Sequence, residues 1–279
     1  MEKHDLSVSS GESSPLSRPE RRFPPGSMEK LTSSKNPRVQ SIRSLSDRRG
    51  RLSQGAFLAE GDKMVREALE SSFPVREILL REDRPLPDWV PPGLPVLLFP
   101  EGLFNSLSDT RTPQGISAVV ESRPRPAEGR LLLALDAVQD PGNVGTIIRT
   151  ADAAGFQGIL LGPGCADVFS PKVLRATMGS VFRMGLSFPD NLGTALSLLK
   201  ERGYSILSSQ LDGEPFFSRS GVADSLVLII GNEGNGVSPE VQKTATHRLR
   251  LPMRGGAESL NAAVAAAIMM YDITRGRLE

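Results

Sequence analysis

Hydrophobic and polar positions alternate along this chain in blocks that predict strands separated by helices. Two runs, LLLAL from Leu131 and LVLII from Leu226, are continuously apolar, which is typical of strands buried on both faces of a parallel sheet. Between them, residues 143–154 carry apolar side chains at helical spacing. From Leu131 onward the pattern therefore predicts an α/β domain with a parallel sheet.

The residues before that domain predict a smaller α/β unit. A helix is expected over residues 39–47, then a strand that ends at Glu60 and a helix that turns Met64 and Val65 inward. Two further strands are expected at VREILLRED and PVLLFPEG, with a short helix over residues 103–107.

Local composition divides the chain into four parts. Residues 1–27 are rich in serine, proline and charge, so we expect a disordered tail. Residues 122–130 contain Pro124 and Pro126 and no apolar periodicity, so we expect a linker there. The linker separates a smaller domain, residues 28–121, from a larger one, residues 131–279.

Composition narrows the class of protein. The 33 Lys and Arg nearly balance the 32 Asp and Glu, so the whole-chain charge gives no evidence of a polyanionic partner. The single cysteine, Cys165, cannot form an internal disulfide, and no secretory or membrane-spanning run is present, so we expect a soluble, cytoplasmic protein. His4 and His247 have no neighbouring ligand cluster, so we expect no metal.

Three clusters in the larger domain are candidates for chemistry. The first, residues 140–156, places Asn143 at a strand-to-helix junction and Arg149 six residues later, nearly two helical turns away. Asp140 or Asn143 can cap that helix. The ordinary interpretation makes Asn143 a turn residue and Arg149 a surface ion-pair donor.

The second cluster is GNEGNG at residues 231–236, directly after the LVLII strand. Its glycines allow close approach of the backbone to a ligand. Their spacing is G-x-x-G-x-G, which differs from the dinucleotide fingerprint, and Glu233 would repel a phosphate. A neutral or cationic ligand fits better.

The third cluster is LPMRGGAESLN at residues 251–261, followed by an alanine-rich helix. Ser259 is placed to cap that helix, which is a purely structural alternative for it. The small side chains of the helix predict close packing against the sheet or a second copy of the chain.

In order and spacing, the three clusters resemble the motifs of the SpoU/TrmH-type RNA 2′-O-ribose methyltransferases of the SPOUT superfamily. The first motif runs from Asn143 to RTA at 149–151, the second is GNEGNG, and the third is LPM at 251–253 with SLN at 259–261. SKNPRVQSIRSL and FLAEGDKMVREAL also resemble the family's substrate-binding module, which is similar to L30e-type RNA binders. The resemblance covers about residues 31–278.

The resemblance implies a SPOUT domain with a deep trefoil knot over residues 131–279 and an L30e-like RNA substrate-binding domain over residues 28–121. It implies S-adenosyl-L-methionine as the cofactor. The cofactor-binding residues it implies are Gly231, Leu251 and Leu260, with Met253 and Gly255 second to them. The catalytic residues it implies are Arg149, Asn143, Glu233, Ser259 and Asn261.

The reaction implied is methylation of a ribose 2′-hydroxyl by a homodimer, with large-subunit ribosomal RNA favoured as substrate. Residues 29–51 are locally basic, and five arginines become candidates for RNA phosphates instead of a solvated helix face. They are Arg38, Arg43, Arg48, Arg49 and Arg51. A transfer RNA methyltransferase and a non-catalytic ribosome-assembly factor are the alternatives.

Overall fold

The structure, a computed structural model, describes residues 27–275, except for the side chain of Leu211. It contains a five-stranded sheet in the first half of the chain and a six-stranded sheet in the second. The expected disordered tail lies outside the described residues, apart from Ser27.

The first sheet has the strand order β1-β4-β3-β5-β2. The first three strands in that order are parallel to each other, whereas β5 is antiparallel to both β3 and β2. Its strands are β1 (Met28–Lys30), β2 (Ala56–Glu60), β3 (Val75–Arg81), β4 (Val96–Phe99) and β5 (Ile116–Glu121). Its helices are α1 (Pro37–Ser44), α2 (Arg48–Gln54), α3 (Asp62–Glu70) and α4 (Glu101–Asn105).

Two helix predictions in this half are corrected. The single helix expected over residues 39–47 is two helices, because the Asp47 side chain accepts the Gly50 amide at 2.8 Å and starts α2. The short helix expected over residues 103–107 begins at Glu101, directly after Pro100. The strand and helix around Glu60 are confirmed by β2 and α3.

The second sheet is parallel throughout and has the order β11-β9-β10-β6-β7-β8. Its strands are β6 (Leu131–Leu135), β7 (Gly158–Leu161), β8 (Gly185–Ser187), β9 (Ser205–Pro215), β10 (Leu226–Ile230) and β11 (His247–Arg250). Every residue of β6 and β10 is buried, as their continuous apolar runs predict. The predicted α/β fold with a parallel sheet is confirmed.

Helices cover both faces of this sheet. They are α5 (Pro141–Ala153), α6 (Pro171–Thr177), α7 (Leu192–Glu201), α8 (Pro239–Gln242) and α9 (Ala262–Thr274). One core cluster joins α5 and α9 to their face of the sheet, and another joins α7 and α8 to the opposite face. Between α5 and α6 the packing is so close that a Cβ on Gly145 would lie 2.4 Å from the Cβ of Ala176.

The two halves of the chain share one hydrophobic core. Phe57 of β2 stacks on Phe169 with ring centroids 4.6 Å apart, and Phe73 meets Phe182 edge to face at 5.4 Å. Phe57, Phe73 and Phe182 are almost fully buried in the same cluster as the α5 and α9 residues. The aromatic cluster, defined as these four rings, holds the two sheets together.

Ion pairs also join the two halves of the chain. The Arg51 guanidinium binds Asp167 Oδ2 at 2.7 Å and donates to the backbone carbonyl of Leu45 at 2.8 Å. Arg175 binds Asp109 at 2.5 Å, and Arg183 joins Asp152 of α5 to Glu67 of α3. These contacts cross from one sheet's elements to the other's and fix their relative orientation.

Candidate functional site

Neighbouring parallel strands bring the three clusters to one edge of the second sheet. β6 and β10 pair along their whole length, up to Leu135 opposite Ile230. The loops that follow these strands therefore leave the sheet side by side. β11 is parallel to β9 in the same sheet, so the third cluster leaves at this edge as well. The carboxyl edge of parallel strands is where open α/β sheets bind ligands.

Asn143 is the centre of a hydrogen-bonded row that joins the three clusters. Its side-chain nitrogen Nδ2 donates a hydrogen bond to Glu233 Oε1 at 3.0 Å, and its side-chain oxygen Oδ1 accepts one from Nδ2 of Asn261 at 2.9 Å. We call Glu233, Asn143 and Asn261 the polar row. Residues that are 90 and 118 positions from Asn143 thus meet it directly.

The carboxylate of Glu233 is held in its charged form. Partial burial raises its pKa, but the hydrogen bond from Asn143 and the backbone amides of Asp140 and Gln139 outweigh this effect and leave the pKa below its ordinary value. The two backbone contacts are 3.2 Å and 3.3 Å long. A full negative charge therefore lies at the edge of the site.

Helix caps fix two members of the polar row. Asp140 caps α5 by accepting the Asn143 backbone amide at 2.8 Å. Asn261 caps α9 by accepting the amides of Ala263 at 2.9 Å and Val264 at 3.2 Å. The helix cap considered for Ser259 is therefore wrong, because Asn261 fills that position.

The glycine loop of the second cluster closes on itself. Asn232 and Gly236 exchange two backbone hydrogen bonds of 2.9 Å, and Gly236 has a φ of +67°. A Cβ on Gly231 would lie 2.2 Å from the carbonyl carbon of Gly236. Glycine at position 231 is therefore required by the close approach of the two sides of the loop.

Sequence reasoning missed two residues that hold this loop. The side-chain nitrogen of Asn232 donates a hydrogen bond to the backbone carbonyl of Ala137 at 2.8 Å. Its side-chain oxygen accepts hydrogen bonds from the backbone amides of Gly234 and Asn235. The buried carboxylate of Asp136 accepts the Ser238 amide at 2.7 Å. The available signal was a polar residue within two positions of the end of each of the two most apolar strands.

The predicted cofactor residues lie in the two loops that follow β10 and β11 at this edge. Gly231 directly follows β10 and Leu251 directly follows β11. Leu251 packs against the core, whereas the side chain of Leu260 is 37% exposed. A Cβ added to Gly255 would meet no other atom within 4 Å, so the backbone there is open. Exposed apolar side chains and accessible backbone groups suit the adenosine part of a ligand, and the nearby carboxylate of Glu233 suits a cationic sulfur.

Arg149 and Ser259 are not part of the polar row. Both are exposed, and neither side chain forms a hydrogen bond or ion pair among residues 27–275. Arg149 follows Asn143 by six residues on α5, so the two side chains leave the helix in different directions. Its guanidinium is free to bind an anion.

The five predicted RNA-binding arginines differ in their exposure and in their side-chain partners. Arg48 and Arg49 are exposed, and within the described part of the chain they have no side-chain partner. Arg43 donates to Ser106 at 3.2 Å, and Arg38 binds Glu29 and Glu77. Arg51 is 6% exposed and is paired with Asp167, so the prediction that Arg51 contacts RNA is wrong.

Neither a metal cluster nor a membrane span is found in the described residues. No group of three His, Cys, Asp or Glu there is arranged to hold a metal ion. None of the helices in the same range is long and apolar enough to cross a bilayer.

Fold and site together define the class of protein. A parallel α/β domain that joins a glycine loop, a proline–methionine loop and a Glu–Asn–Asn row at its carboxyl edge is a methyltransferase domain of the SpoU type. The chain belongs to the SpoU rRNA methylase family, whose model matches residues 130–271. Residues 36–118 match the MRM3-like substrate binding domain. The family predicted from the three motifs is confirmed.

Relatives with assigned reactions align along nearly their whole length. The 23S rRNA (guanosine(2553)-2′-O)-methyltransferase RlmP of Bacillus subtilis is 38% identical over 88% of this chain and 99% of its own. The 23S rRNA (uridine(2479)-2′-O)-methyltransferase of Streptomyces viridochromogenes is 30% identical over 88% of this chain and 92% of its own.

A solved structure has the same fold with cofactor bound. The AdoMet-bound rRNA methyltransferase from Sinorhizobium meliloti superposes with a TM-score of 0.82 and is 33% identical, and the match covers 90% of this chain and 99% of that one. Both sheets are therefore part of the shared architecture.

Proposed function

We propose that this protein transfers a methyl group from S-adenosyl-L-methionine to a ribose 2′-hydroxyl of 23S ribosomal RNA. The polar row carries the proposal, because it assembles one residue from each of the three motifs at the ligand edge of a SpoU-type domain. The single free cysteine fits a protein of the reducing cytoplasm.

The cofactor-binding residues of the proposal are Gly231, Leu251 and Leu260, with Met253 and Gly255 beside them. Gly231 lets the loop backbone come close, and Leu251 and Leu260 offer apolar walls. The bound cofactor supplies the methyl group to the attacking hydroxyl. The negative charge of Glu233 favours a cation near the loop.

Arg149 is the residue we assign to activation of the hydroxyl. A guanidinium offers donors and no acceptor, so Arg149 does not take the proton as a base, and the hydroxyl proton passes to solvent water as the methyl group leaves the sulfur. Its free, exposed fork binds the phosphate next to the target ribose and stabilises the developing alkoxide. The polar row orients the motif loops around that ribose. Ser259 contributes a hydroxyl from the loop of the third motif.

Residues 28–121 bind the RNA in this proposal, joined to the methyltransferase domain, residues 131–279, through residues 122–130. Arg48 and Arg49 supply free positive charge, and Arg43 and Arg38 lie on the neighbouring helix α1. The match to the MRM3-like substrate binding domain supports this role, and we assign the L30e type of fold to it. Binding is expected to weaken steeply with salt.

A homodimer and a trefoil knot complete the proposal. Helix α9 and the loop before it expose a stripe of large apolar side chains: Leu260, Val264, Ile268 and Tyr271, which are 37%, 48%, 38% and 43% exposed. Their spacing of three and four residues supports a second copy as the partner. The knot would be formed by the loops of the second and third motifs.

Methyl transfer to defined RNA tests the proposed function. Unmodified 23S rRNA and total transfer RNA would each be incubated with the protein and labelled S-adenosyl-L-methionine, and the 2′-O-methylated position mapped. We expect label in 23S rRNA only. Label in transfer RNA would favour the first alternative, and cofactor binding by calorimetry without transfer to either RNA would favour a non-catalytic factor.

A further inference from the structure

Strand β11 presents two arginines on a face that the methyltransferase site does not use. Along His247–Arg250, burial alternates, with Leu249 1% exposed and Arg248 and Arg250 both exposed. Leu249 belongs to the core cluster that contains the α9 residues. The register with β9 shifts between Arg248 and Leu249, but side chains still alternate along β11 itself, so Arg248 and Arg250 lie on the opposite side of the strand from the buried Leu249.

Neither guanidinium has a partner among the described residues. Among residues 27–275, no carboxylate lies within ion-pair distance of Arg248 or Arg250, whereas Arg51, Arg76 and Arg183 are all paired. Two residues along a strand span about 6.8 Å, so the two charges form a short row on one surface. Arg254 follows four residues later in the exposed loop and has no ion-pair partner in the described range either.

The row runs directly into the proposed cofactor loop. β11 is the edge strand of the second sheet and ends at Arg250, and Leu251 is the next residue. A molecule bound along β11 would therefore reach the ligand edge without crossing another element. The exposed arginines Arg48 and Arg49 lie on helix α2 in the first half of the chain, so the two sets of charges belong to different elements.

We propose that Arg248, Arg250 and Arg254 form a second RNA contact that binds backbone phosphates of the substrate beside the cofactor loop. This inference rests on the proposed function, because RNA must reach that loop for methyl transfer. Arginine suits the role since its planar fork binds phosphate oxygens in pairs and stays charged. We call these three residues the β11 strip.

The structural alternative is protection of a sheet edge. Charged side chains on an edge strand prevent pairing with another molecule's strand, and β11 is such an edge. That role requires charge but no RNA. It predicts aggregation after the charges are removed, with RNA affinity unchanged in the soluble fraction.

A pair of matched variants separates these roles. The test variant is Arg248→Gln with Arg250→Gln. The control is Lys200→Gln with Arg202→Gln, which also removes two exposed positive charges that are free of ion pairs within the described residues. Those two lie at the end of α7 and precede β9, so they are at the amino edge of the same parallel sheet, opposite to the cofactor loop.

The measurements are RNA affinity as a function of salt, methyl transfer and cofactor affinity. The RNA is an unmodified transcript of the 23S rRNA segment around guanosine 2553, the position that the Bacillus relative methylates. Losing two phosphate contacts should reduce the slope of log affinity against log salt by about 1.4 to 1.8. We expect that reduction and a raised KM for RNA in the test variant only, with cofactor affinity, kcat and melting temperature unchanged.

Each other outcome has a definite meaning. A wild-type salt slope in a soluble test variant overturns the β11 strip, and aggregation with wild-type RNA affinity assigns the arginines to edge protection. Equal loss in both variants also overturns it, because general charge would then explain the effect. If the unaltered protein binds the cofactor and neither binds nor methylates the transcript, the proposed function fails instead.

Discussion

At the residue scale, the polar row shows what sequence motifs can and cannot specify. Asn143, Glu233 and Asn261 are expected in one site from the family resemblance, and the structure brings them within hydrogen-bond distance. Arg51 looks like its basic neighbours in the sequence, yet it is buried beside Asp167. Its partner is 116 residues away, so no local pattern predicts the pairing.

Arg149 is the residue whose chemistry is most specific. We expect Arg149→Lys to retain most RNA binding and to lower kcat by about 10²-fold to 10³-fold, because the charge remains and the bidentate fork is lost. Single-turnover transfer from labelled cofactor measures the rate, and a filter-binding assay measures the affinity. Full activity in this variant would remove Arg149 from the mechanism.

Glu233 gives the site a pH-dependent contribution to stability. Its folded-state pKa lies below the ordinary value of 4.5, so its charged form stabilises the fold above that pH, and the contribution is lost as the pH falls through the lowered pKa. We expect Glu233→Gln to melt below the wild type at neutral pH and the difference to shrink on acidification. A difference independent of pH would contradict this.

Cys165 is a structural thiol, as its lack of a basic neighbour in the sequence indicates. Burial raises the pKa of this thiol to about 11, although backbone contacts act in the opposite direction. Its sulfur lies 3.3 Å from the carbonyl oxygen of Leu135, at the end of β6. The thiol is therefore protonated at neutral pH and takes no part as a nucleophile.

At the element scale, the sequence predicted the elements that carry a clear apolar pattern. The apolar runs of β6 and β10 and the helices α3 and α5 carry enough periodic positions to be recognised. The helix α2 has seven residues and almost no apolar ones, and it forms because Asp47 and Gly55 cap its two ends. Capping of so short a helix depends on tertiary packing, which the pattern does not contain.

The glycine loop after β10 tolerates no side chain at its first position. We expect Gly231→Ala to lower stability by about 1 to 3 kcal/mol and to weaken cofactor binding, because the added Cβ would lie 2.2 Å from Gly236. Gly102→Ala is the control, since nothing lies within 4 Å of the Cβ it adds and Gly102 lies in α4, outside the candidate site. Thermal melting and cofactor calorimetry measure both effects, and equal behaviour of the two variants would contradict the steric argument.

At the scale of the whole molecule, the apolar stripe on α9 predicts the oligomeric state. We expect the wild type to be a dimer by light scattering and Ile268→Glu to be a monomer, because a charge would be buried at the centre of the interface. Phe217→Glu is the control, because that side chain is 51% exposed and lies outside α9. A monomeric wild type would contradict the proposed dimer.

The aromatic cluster predicts that both sheets unfold together. Phe57 is fully buried between Phe169 and Phe182, so Phe57→Ala should cost about 3 to 5 kcal/mol and lower one common transition in calorimetry. Phe188→Ala is the control, because that ring is 51% exposed although it also touches Phe169. Two separate transitions in the wild type would show that the sheets are independent.

The shared core also limits how this protein can diversify. If the chain were divided between residues 121 and 131, each fragment would carry part of the aromatic cluster on its surface, and large exposed apolar patches favour aggregation. Neither half could then be exchanged for an unrelated module without a new complementary surface. Descendants that acquire a different RNA target are therefore expected to change surface side chains and to inherit both halves as one unit.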